Sequence, residues 1–329
     1  MINRTAYSQH RFAVAPMLDW TDRHCRYFHR LLSKKALLYT EMRVADAILY
    51  GDRKHLLSFS DCEQPVALQL GGSDIKKLCE AAKIAESFGY SEINLNVGCP
   101  SDRVQAGSFG ASLMAEPQKV GQIVEALKNA VSVPVTVKCR IGIDEQEPHQ
   151  ALTILGEHCV AAGVDAFWVH ARKAWLKGLS PKDNRNLPPL DYPCVYAFKK
   201  AFPNLFVGLN GGIASLEEAK AHLDYVDGVM MGRAAYHNPR LLLGVDSLFF
   251  QQPARQTDYF ALLEKIICYA EKQMPNNTPL THVLHALSGL FNGLQGAKLW
   301  RSTLAHNKAD ILTIKKLFTE IVQRNNLIG

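Results

Sequence analysis

The sequence contains no Cys-x-x-Cys pair. Its eight cysteines, Cys25, Cys62, Cys79, Cys99, Cys139, Cys159, Cys194 and Cys268, stand singly at wide spacings. In a chain of 329 residues this excludes a disulfide scaffold and points to reduced thiols in a cytoplasmic protein. No apolar run is long enough to span a bilayer, and Met1 to Arg11 lacks the apolar core of a secretory signal. A soluble, unexported chain with no membrane contact is expected. The first β-to-α turn, Ala13-Val14-Ala15-Pro16-Met17-Leu18-Asp19, has no Gly-x-Gly-x-x-Gly, which argues against a dinucleotide-binding sheet. Acidic residues are missing from two stretches. None lies between Lys272 and Ala309, where Lys272, His282, His285, Lys298, Arg301, His306 and Lys308 fall. None lies between Asp165 and Asp183, where His170, Arg172, Lys173, Lys177 and Lys182 fall, with Arg185 just beyond.

What is present is a repeat. Short apolar runs begin near Phe12, Leu37, Val66, Glu92, Val133, Ala166, Leu205 and Gly228, with amphipathic segments between most of them. Asp74 to Phe88 carries Ile75, Leu78, Cys79, Ala82 and Ala85 on one face, and Pro117 to Ala130 carries Val120, Ile123, Val124 and Leu127. Strands joined through helices pair in parallel, and eight such units close into a (β/α)8 TIM barrel, with an open doubly wound sheet as the competing arrangement. The chain exceeds the ~250 residues of a bare barrel. Past the stretch Leu243 to Gln256 the periodicity is helical only, over Tyr259 to Gln273, Thr281 to His306 and Ile311 to Arg324, with a loop at Met274-Pro275-Asn276-Asn277-Thr278-Pro279. The expected organisation is a barrel over residues 1–245 and a small all-helical C-terminal domain over 246–329, joined through Gln251-Gln252-Pro253-Ala254-Arg255.

The strand ends carry the chemistry, as α/β enzymes place it. Asn94-Leu95-Asn96-Val97-Gly98-Cys99-Pro100-Ser101 puts a thiol where a strand breaks into a Gly/Pro turn, Lys138 ends the fifth run, and His170 ends the sixth. Cys79, Cys139 and Cys159 read as small buried hydrophobes. Asn210-Gly211-Gly212-Ile213 and Met231-Gly232-Arg233-Ala234 follow the seventh and eighth runs, where barrels commonly hold a phosphate on backbone N–H groups, with Arg233 as a forked partner. A phosphate grip beside Lys138 and His170 suits pyridoxal phosphate, a flavin mononucleotide or a phosphorylated sugar. Lys138 would be a Schiff-base nucleophile in the first case and a cation beside an anionic flavin edge in the second. Gln69 could donate and accept at a flavin or pyrimidine edge, and Ala15-Pro16-Met17-Leu18 could lie against a flavin ring.

Net charge is +6, too little by itself to name a partner. The two acid-free tracts would flank a groove for a phosphate backbone, although a basic rim could also serve a small phosphorylated ligand. Lys298 and Arg301 share a helix face near Trp300. Arg26, His29 and Arg30, after a helix start at Asp22-Arg23-His24-Cys25, are expected to add to the rim. His282 and His285 lack a third ligand in the sequence, so no metal is expected.

Ala15-Pro16-Met17, Tyr39-Thr40-Glu41-Met42, Gln69-Leu70-Gly71-Gly72, Asn94-Leu95-Asn96-Val97-Gly98-Cys99-Pro100, Val137-Lys138-Cys139-Arg140, Val169-His170-Ala171-Arg172, Asn210-Gly211-Gly212-Ile213 and Gly232-Arg233 together resemble the tRNA-dihydrouridine synthases. The likeness continues through Leu287-Ser288-Gly289-Leu290-Phe291-Asn292-Gly293 and Gly296-Ala297-Lys298-Leu299-Trp300-Arg301, so it covers nearly the whole chain. The run Ala171 to Pro181 looks most like the A branch, whose members act on uridines 20 and 20a of the tRNA D-loop.

The resemblance implies an FMN enzyme that reduces the C5–C6 bond of uridine in tRNA, with NADPH as reductant. Hydride would pass from flavin N5 to C6 and a proton from Cys99 to C5. A thiol of ordinary pKa, ~8.5, is protonated near neutrality and can serve as the acid. By the same resemblance Lys138, His170, Gln69, Asn210, Gly211, Gly212, Gly232 and Arg233 hold FMN, with Pro16, Met17 and Leu18 against the ring and Asn96 on the uracil edge. A uridine folded inside tRNA must be swung out to reach a barrel mouth, at a cost of a few kcal/mol recovered from backbone contacts. Arg172, Lys177, Arg185, Lys298 and Arg301 are the expected tRNA contacts. No protein partner is implied.

Overall fold

The computed structural model describes residues 7, 9–101, 104, 107–254, 256–274, 279–305 and 310–327. Arg255, the loop residues 275–278, His306 and Lys308 lie outside them. Eight strands, β1 (Phe12–Val14), β2 (Leu37–Val44), β3 (Val66–Gly71), β4 (Glu92–Val97), β5 (Val135–Arg140), β6 (Ala166–His170), β7 (Phe206–Asn210) and β8 (Gly228–Met231), pair in parallel in sequence order and close through β1 and β8. This is the expected barrel. β5 starts two residues later than Val133, past Pro134, which has no N–H for a ladder.

The helices in chain order are α1 (Arg23–Leu32), α2 (Ala45–Tyr50), α3 (Arg53–Leu57), α4 (Ile75–Ser87), α5 (Pro117–Ala130), α6 (Pro148–Ala161), α7 (Tyr192–Ala201), α8 (Leu216–His222), α9 (Arg233–His237), α10 (Val245–Phe250), α11 (Tyr259–Gln273), α12 (Leu280–Leu284), α13 (Ala297–Ala305) and α14 (Ile311–Arg324). Side-chain caps fix several starts: Asp22 accepts from the Cys25 N–H, Asp74 from Lys77, Asp191 from Cys194 and Asp310 from Thr313. The expected helix over Thr281 to His306 is instead two, α12 and α13. Glycines interrupt it: Gly293 and Gly296 take φ of 77° and 95°, and a Cβ on Gly289 would run into the His237 carbonyl.

Strand alternation sorts the side chains into two cores. Outward residues such as Leu68, Leu95, Val137, Val169, Leu209 and Val229 pack under the helices. Inward residues Ala13, Leu37, Tyr39, Ala67, Ala166, Trp168, Phe206 and Met230, with Tyr7 from the N-terminal segment, fill the barrel. Trp168 occupies the space that Gly208 leaves, since a Cβ there would overlap the indole. The inward set of β4 breaks this pattern, for Glu92, Asn94 and Asn96 are all polar and all buried.

α1 joins the two regions. Its Tyr27 stacks on Tyr269 of α11 at 3.8 Å between centroids, and His24 Nδ1 lies 2.9 Å from the Tyr269 hydroxyl. Among the described residues no helix is long and apolar enough to cross a membrane.

Candidate active site at the open end of the barrel

β4 delivers the thiol. Asn96 Oδ1 accepts the backbone N–H groups of Gly98 (3.1 Å) and Cys99 (2.9 Å), turning the chain sharply after the strand. Gly98 passes close over β5, where a Cβ would meet the Cys139 carbonyl carbon at 3.2 Å. The Cys99 carbonyl accepts from the Ala111 N–H at 2.9 Å, and Arg140 Nε donates to the Gly98 carbonyl at 3.1 Å. Cys99 is half-buried, with Sγ 3.5 Å from Ser101 Oγ.

Strands five to eight supply the rest. Lys138 Nζ donates to Asn210 Oδ1 at 3.1 Å, while Asn210 Nδ2 donates to the Met230 carbonyl at 2.8 Å. Burial, then the neighbouring Arg140 guanidinium, pull the Lys138 amine down to about 8. His170 is held neutral by burial and by Arg140, Lys138, Arg172 and Arg233, and its buried Nδ1 has no partner among the described residues. Gly211 and Gly212 take φ of 114° and 74°; a Cβ on Gly211 would press on the His170 ring at 2.9 Å. Tyr192 pins this turn by donating to the Gly211 carbonyl at 2.8 Å.

The electrostatics are one-sided. Arg140, Arg172 and Arg185 are each held below the ordinary guanidinium value, by burial first and then by the other cations, Arg233 acting on both Arg172 and Arg185. None of Lys138, Arg140, Arg172, Arg185 and Arg233 forms a salt bridge among the described residues. Lys138 and Arg140 donate to neutral oxygens instead, as do Arg233, to Asn186 Oδ1 (2.7 Å) and the Arg185 carbonyl (3.3 Å), and Arg172, to the Pro188 carbonyl. Five uncompensated cations around a neutral imidazole make a seat for an anion.

The turn after β1 closes the other side. Met17 N–H donates to Thr21 Oγ1 at 3.0 Å, and a Cβ on Gly232 would meet the Met17 sulfur at 3.4 Å, so Met17 leans towards the eighth strand end. Pro16 and Met17 are half-buried, and Leu18 projects with 63 % of its surface exposed. Asp19 has φ of 64°, held by its N–H donating to Glu41 Oε1 at 2.6 Å. Gln69 has less freedom than expected of a ligand amide, since Nε2 donates to Asn94 and Oε1 accepts from Asn96, both at 2.8 Å.

Lys177, Lys298 and Arg301 are exposed. Trp300 does not accompany the last two: it is fully buried, its Nε1 donating to the Leu287 carbonyl. The expected rim of Arg26, His29 and Arg30 is not a rim. Arg26 pairs with buried Glu63 at 3.0 Å, Arg30 donates to the Glu63, Ser33, Ala36 and Pro65 carbonyls, and burial drops His29 to about 3. His282 finds partners from α1 and its cap, with Nε2 3.7 Å from Asp22 Oδ2 and its ligand atom within 4.8 Å of those of Asp22 and His24; His285 bonds the Tyr236 hydroxyl at 2.8 Å.

Sequence reasoning missed Arg140 and Glu41 as parts of the site. Arg140 follows Lys138 by two, so it shares the inward phase of β5, and its Nη1 also ties the Lys173 (2.9 Å) and Asn184 (2.8 Å) carbonyls.

A family profile described as "Dihydrouridine synthase (Dus)" matches residues 13–325. The chain is 53 % identical over 306 residues, 93 % of its length and 92 % of the relative's, to the tRNA-dihydrouridine(20/20a) synthase of Escherichia coli O6:H1. It is 51 % identical over 302 residues to the protein of that name from Yersinia pestis, covering 92 % of this chain and 87 % of that one. The protein of that name from Vibrio parahaemolyticus is 52 % identical over 301 residues, or 90 % and 91 % of the two chains. A solved 2-naphthoyl-CoA reductase complex shares the fold, with a TM-score of 0.55 at 12 % identity, over 77 % of this chain and 53 % of that one. The chain belongs to the dihydrouridine synthase family of enzymes.

Proposed function

We propose that this protein reduces the C5–C6 double bond of uridine to 5,6-dihydrouridine at positions 20 and 20a of the tRNA D-loop, in the cytoplasm, with Cys99 as proton donor. The observation that carries the reading is the meeting of Cys99, Asn96, Lys138 and His170 at one barrel mouth in a chain 53 % identical to a protein named for that reaction.

The residues fit FMN. The orphaned His170 Nδ1, the Gly211-Gly212 turn and Arg233, which forms no salt bridge among the described residues, suit a phosphorylated ligand. Lys138, His170, Gln69, Asn210, Gly211, Gly212, Gly232 and Arg233 would hold it, with Pro16, Met17 and Leu18 along its ring. When bound, FMN supplies the hydride for uridine C6, with NADPH as its reductant.

The chain's own residues do the rest. Cys99 holds a proton at Sγ and releases it to C5, so the hydride and the proton together saturate the bond. Asn96 has one amide hydrogen left after serving Gln69, a donor suited to a pyrimidine carbonyl. Lys138 offers an ammonium at neutral pH where negative charge collects on a reduced flavin edge. Arg172, Lys177, Arg185, Lys298 and Arg301 would take phosphates of the tRNA, the first three on the barrel (1–245) and the last two on the helical domain (246–329).

Cys99→Ala tests the assignment. Flavin content and NADPH oxidation should persist while dihydrouridine formation in tRNA, read by mass spectrometry, falls at least 100-fold, within the usual range for losing a general acid, ~10²–10⁴. Product at the wild-type rate would remove Cys99 from the mechanism.

A further inference from the structure

We propose that Glu92, at the closed end of the barrel, is a positioning residue for the Cys99 loop, acting through a one-way file of hydrogen bonds along Thr136, Asn94, Gln69 and Asn96. The inference rests on the reading of Cys99 as the acid.

The file runs the length of the barrel interior. Asn96 Oδ1 takes the Gly98 and Cys99 N–H groups, Asn96 Nδ2 donates to Gln69 Oε1 (2.8 Å), and Gln69 Nε2 donates to Asn94 Oδ1 (2.8 Å). Asn94 Nδ2 then donates to Thr136 Oγ1 (2.7 Å), whose hydroxyl donates to Glu92 Oε1 (2.5 Å). Every donor points towards Glu92.

An amide has nearly the same shape when flipped, so shape alone does not set that direction. The two ends set it. At the open end two backbone N–H groups can only donate, so Asn96 must offer them its oxygen and turn its nitrogen down. At the closed end Glu92 Oε1 takes donors from both Thr136 and Tyr39, each at 2.5 Å. A proton on this carboxyl belongs on Oε2, which shares a 2.7 Å bond with Tyr7, so Oε1 stays an acceptor in either charge state. Burial does push Glu92 up to about 7.

Without an acceptor at Glu92 the Thr136 hydroxyl is free to turn and donate upward, which flips Asn94 and then Gln69. Gln69 would meet Asn96 nitrogen to nitrogen. Asn96 must then abandon either Gln69 or the Gly98 and Cys99 N–H groups, and the turn carrying the thiol gains a second arrangement. Packing alone does not call for this carboxyl, because the inward positions of β1, β3 and β8 that face the same interior are alanine, glycine or methionine apart from Gln69.

The test compares pairs that differ only in hydrogen-bonding ability. Glu92→Gln keeps an oxygen for Thr136, whereas Glu92→Met does not; Thr136→Ser keeps the hydroxyl, whereas Thr136→Val keeps only the volume. Amide hydrogen exchange at Gly98 and Cys99 should quicken at least tenfold in Glu92→Met and Thr136→Val, with Phe167 to Val169 of β6 unchanged. Both variants should lower kcat for uridine reduction tenfold or more at unchanged KM for tRNA. The Gln and Ser variants should stay within twofold of wild type in every readout. Unchanged exchange at Gly98 and Cys99, an equal rise in β6, or a Gln variant no better than Met overturns the inference. Should Glu92→Met fail to fold, the isosteric Thr136→Val decides the question. Cys99→Ala, run alongside, separates the two readings: full product from that variant removes the acid assignment, while the exchange result still judges the file.

Discussion

Replacing Arg140 should open the active-site loops while leaving the barrel standing. Its guanidinium donates to the carbonyls of Gly98 (3.1 Å), Lys173 (2.9 Å) and Asn184 (2.8 Å), so one buried fork ties the thiol loop after β4 to the basic loop after β6. Lysine in its place keeps the charge but reaches about one of the three. At ~1.5–3 kcal/mol for a hydrogen bond to a charged group, two lost bonds weaken that junction by about 3–6 kcal/mol. The junction is local, so the loss should appear as loop opening rather than as global unfolding. In Arg140→Lys, amide exchange at Cys99 and through residues 173–185 should accelerate at least 100-fold, while the amides of β7 keep wild-type protection. Uridine reduction should fall at least tenfold, and NADPH oxidation should change little. Wild-type exchange at Cys99 in Arg140→Lys would refute the reasoning, because it would mean that the fork does not hold the loop.

Gly208→Ala should destabilise the protein by about 1–3 kcal/mol through overpacking against Trp168, read from the denaturant midpoint, and Trp168→Phe should restore part of the loss; an unchanged midpoint would mean the interior is not filled as described. Lys298→Ala with Arg301→Ala should weaken tRNA binding and reduce the salt slope of log K by about 1–2, whereas an unaltered slope removes α13 from the interface. Glu92 sets a pH dependence of stability. Its folded value of about 7 lies above the ordinary 4.5, so the folded state holds an extra proton between those values and loses about 3 kcal/mol as pH rises through that window. The stability difference between wild type and Glu92→Gln should carry that slope, and a flat difference between pH 4.5 and 7.5 would contradict it.

The barrel was legible because each strand announces itself twice, by an apolar run and by the residue that ends it. Lys138, His170 and Asn210 could be placed at one mouth from phase alone, since parallel strands bring like positions to the same end. Partnership was not legible. Arg26 and Arg30 read as surface charge, but Glu63 and four backbone carbonyls, invisible from local pattern, draw them inside. Arg140 stood in plain view at a strand end, yet its acceptors come from three separate segments. The break between α12 and α13 had a local signal in Gly289, Gly293 and Gly296, which apolar periodicity outweighed.

The crowd of guanidinium groups around His170 has a practical consequence. Like-charged neighbours repel until something negative arrives, so occupancy by any fitting anion adds to folding stability in proportion to the logarithm of its concentration. The melting temperature of the empty enzyme should therefore depend on the buffer in which it is kept, higher in phosphate than in a zwitterionic amine. Preparations of the empty enzyme are best stored with that stand-in present.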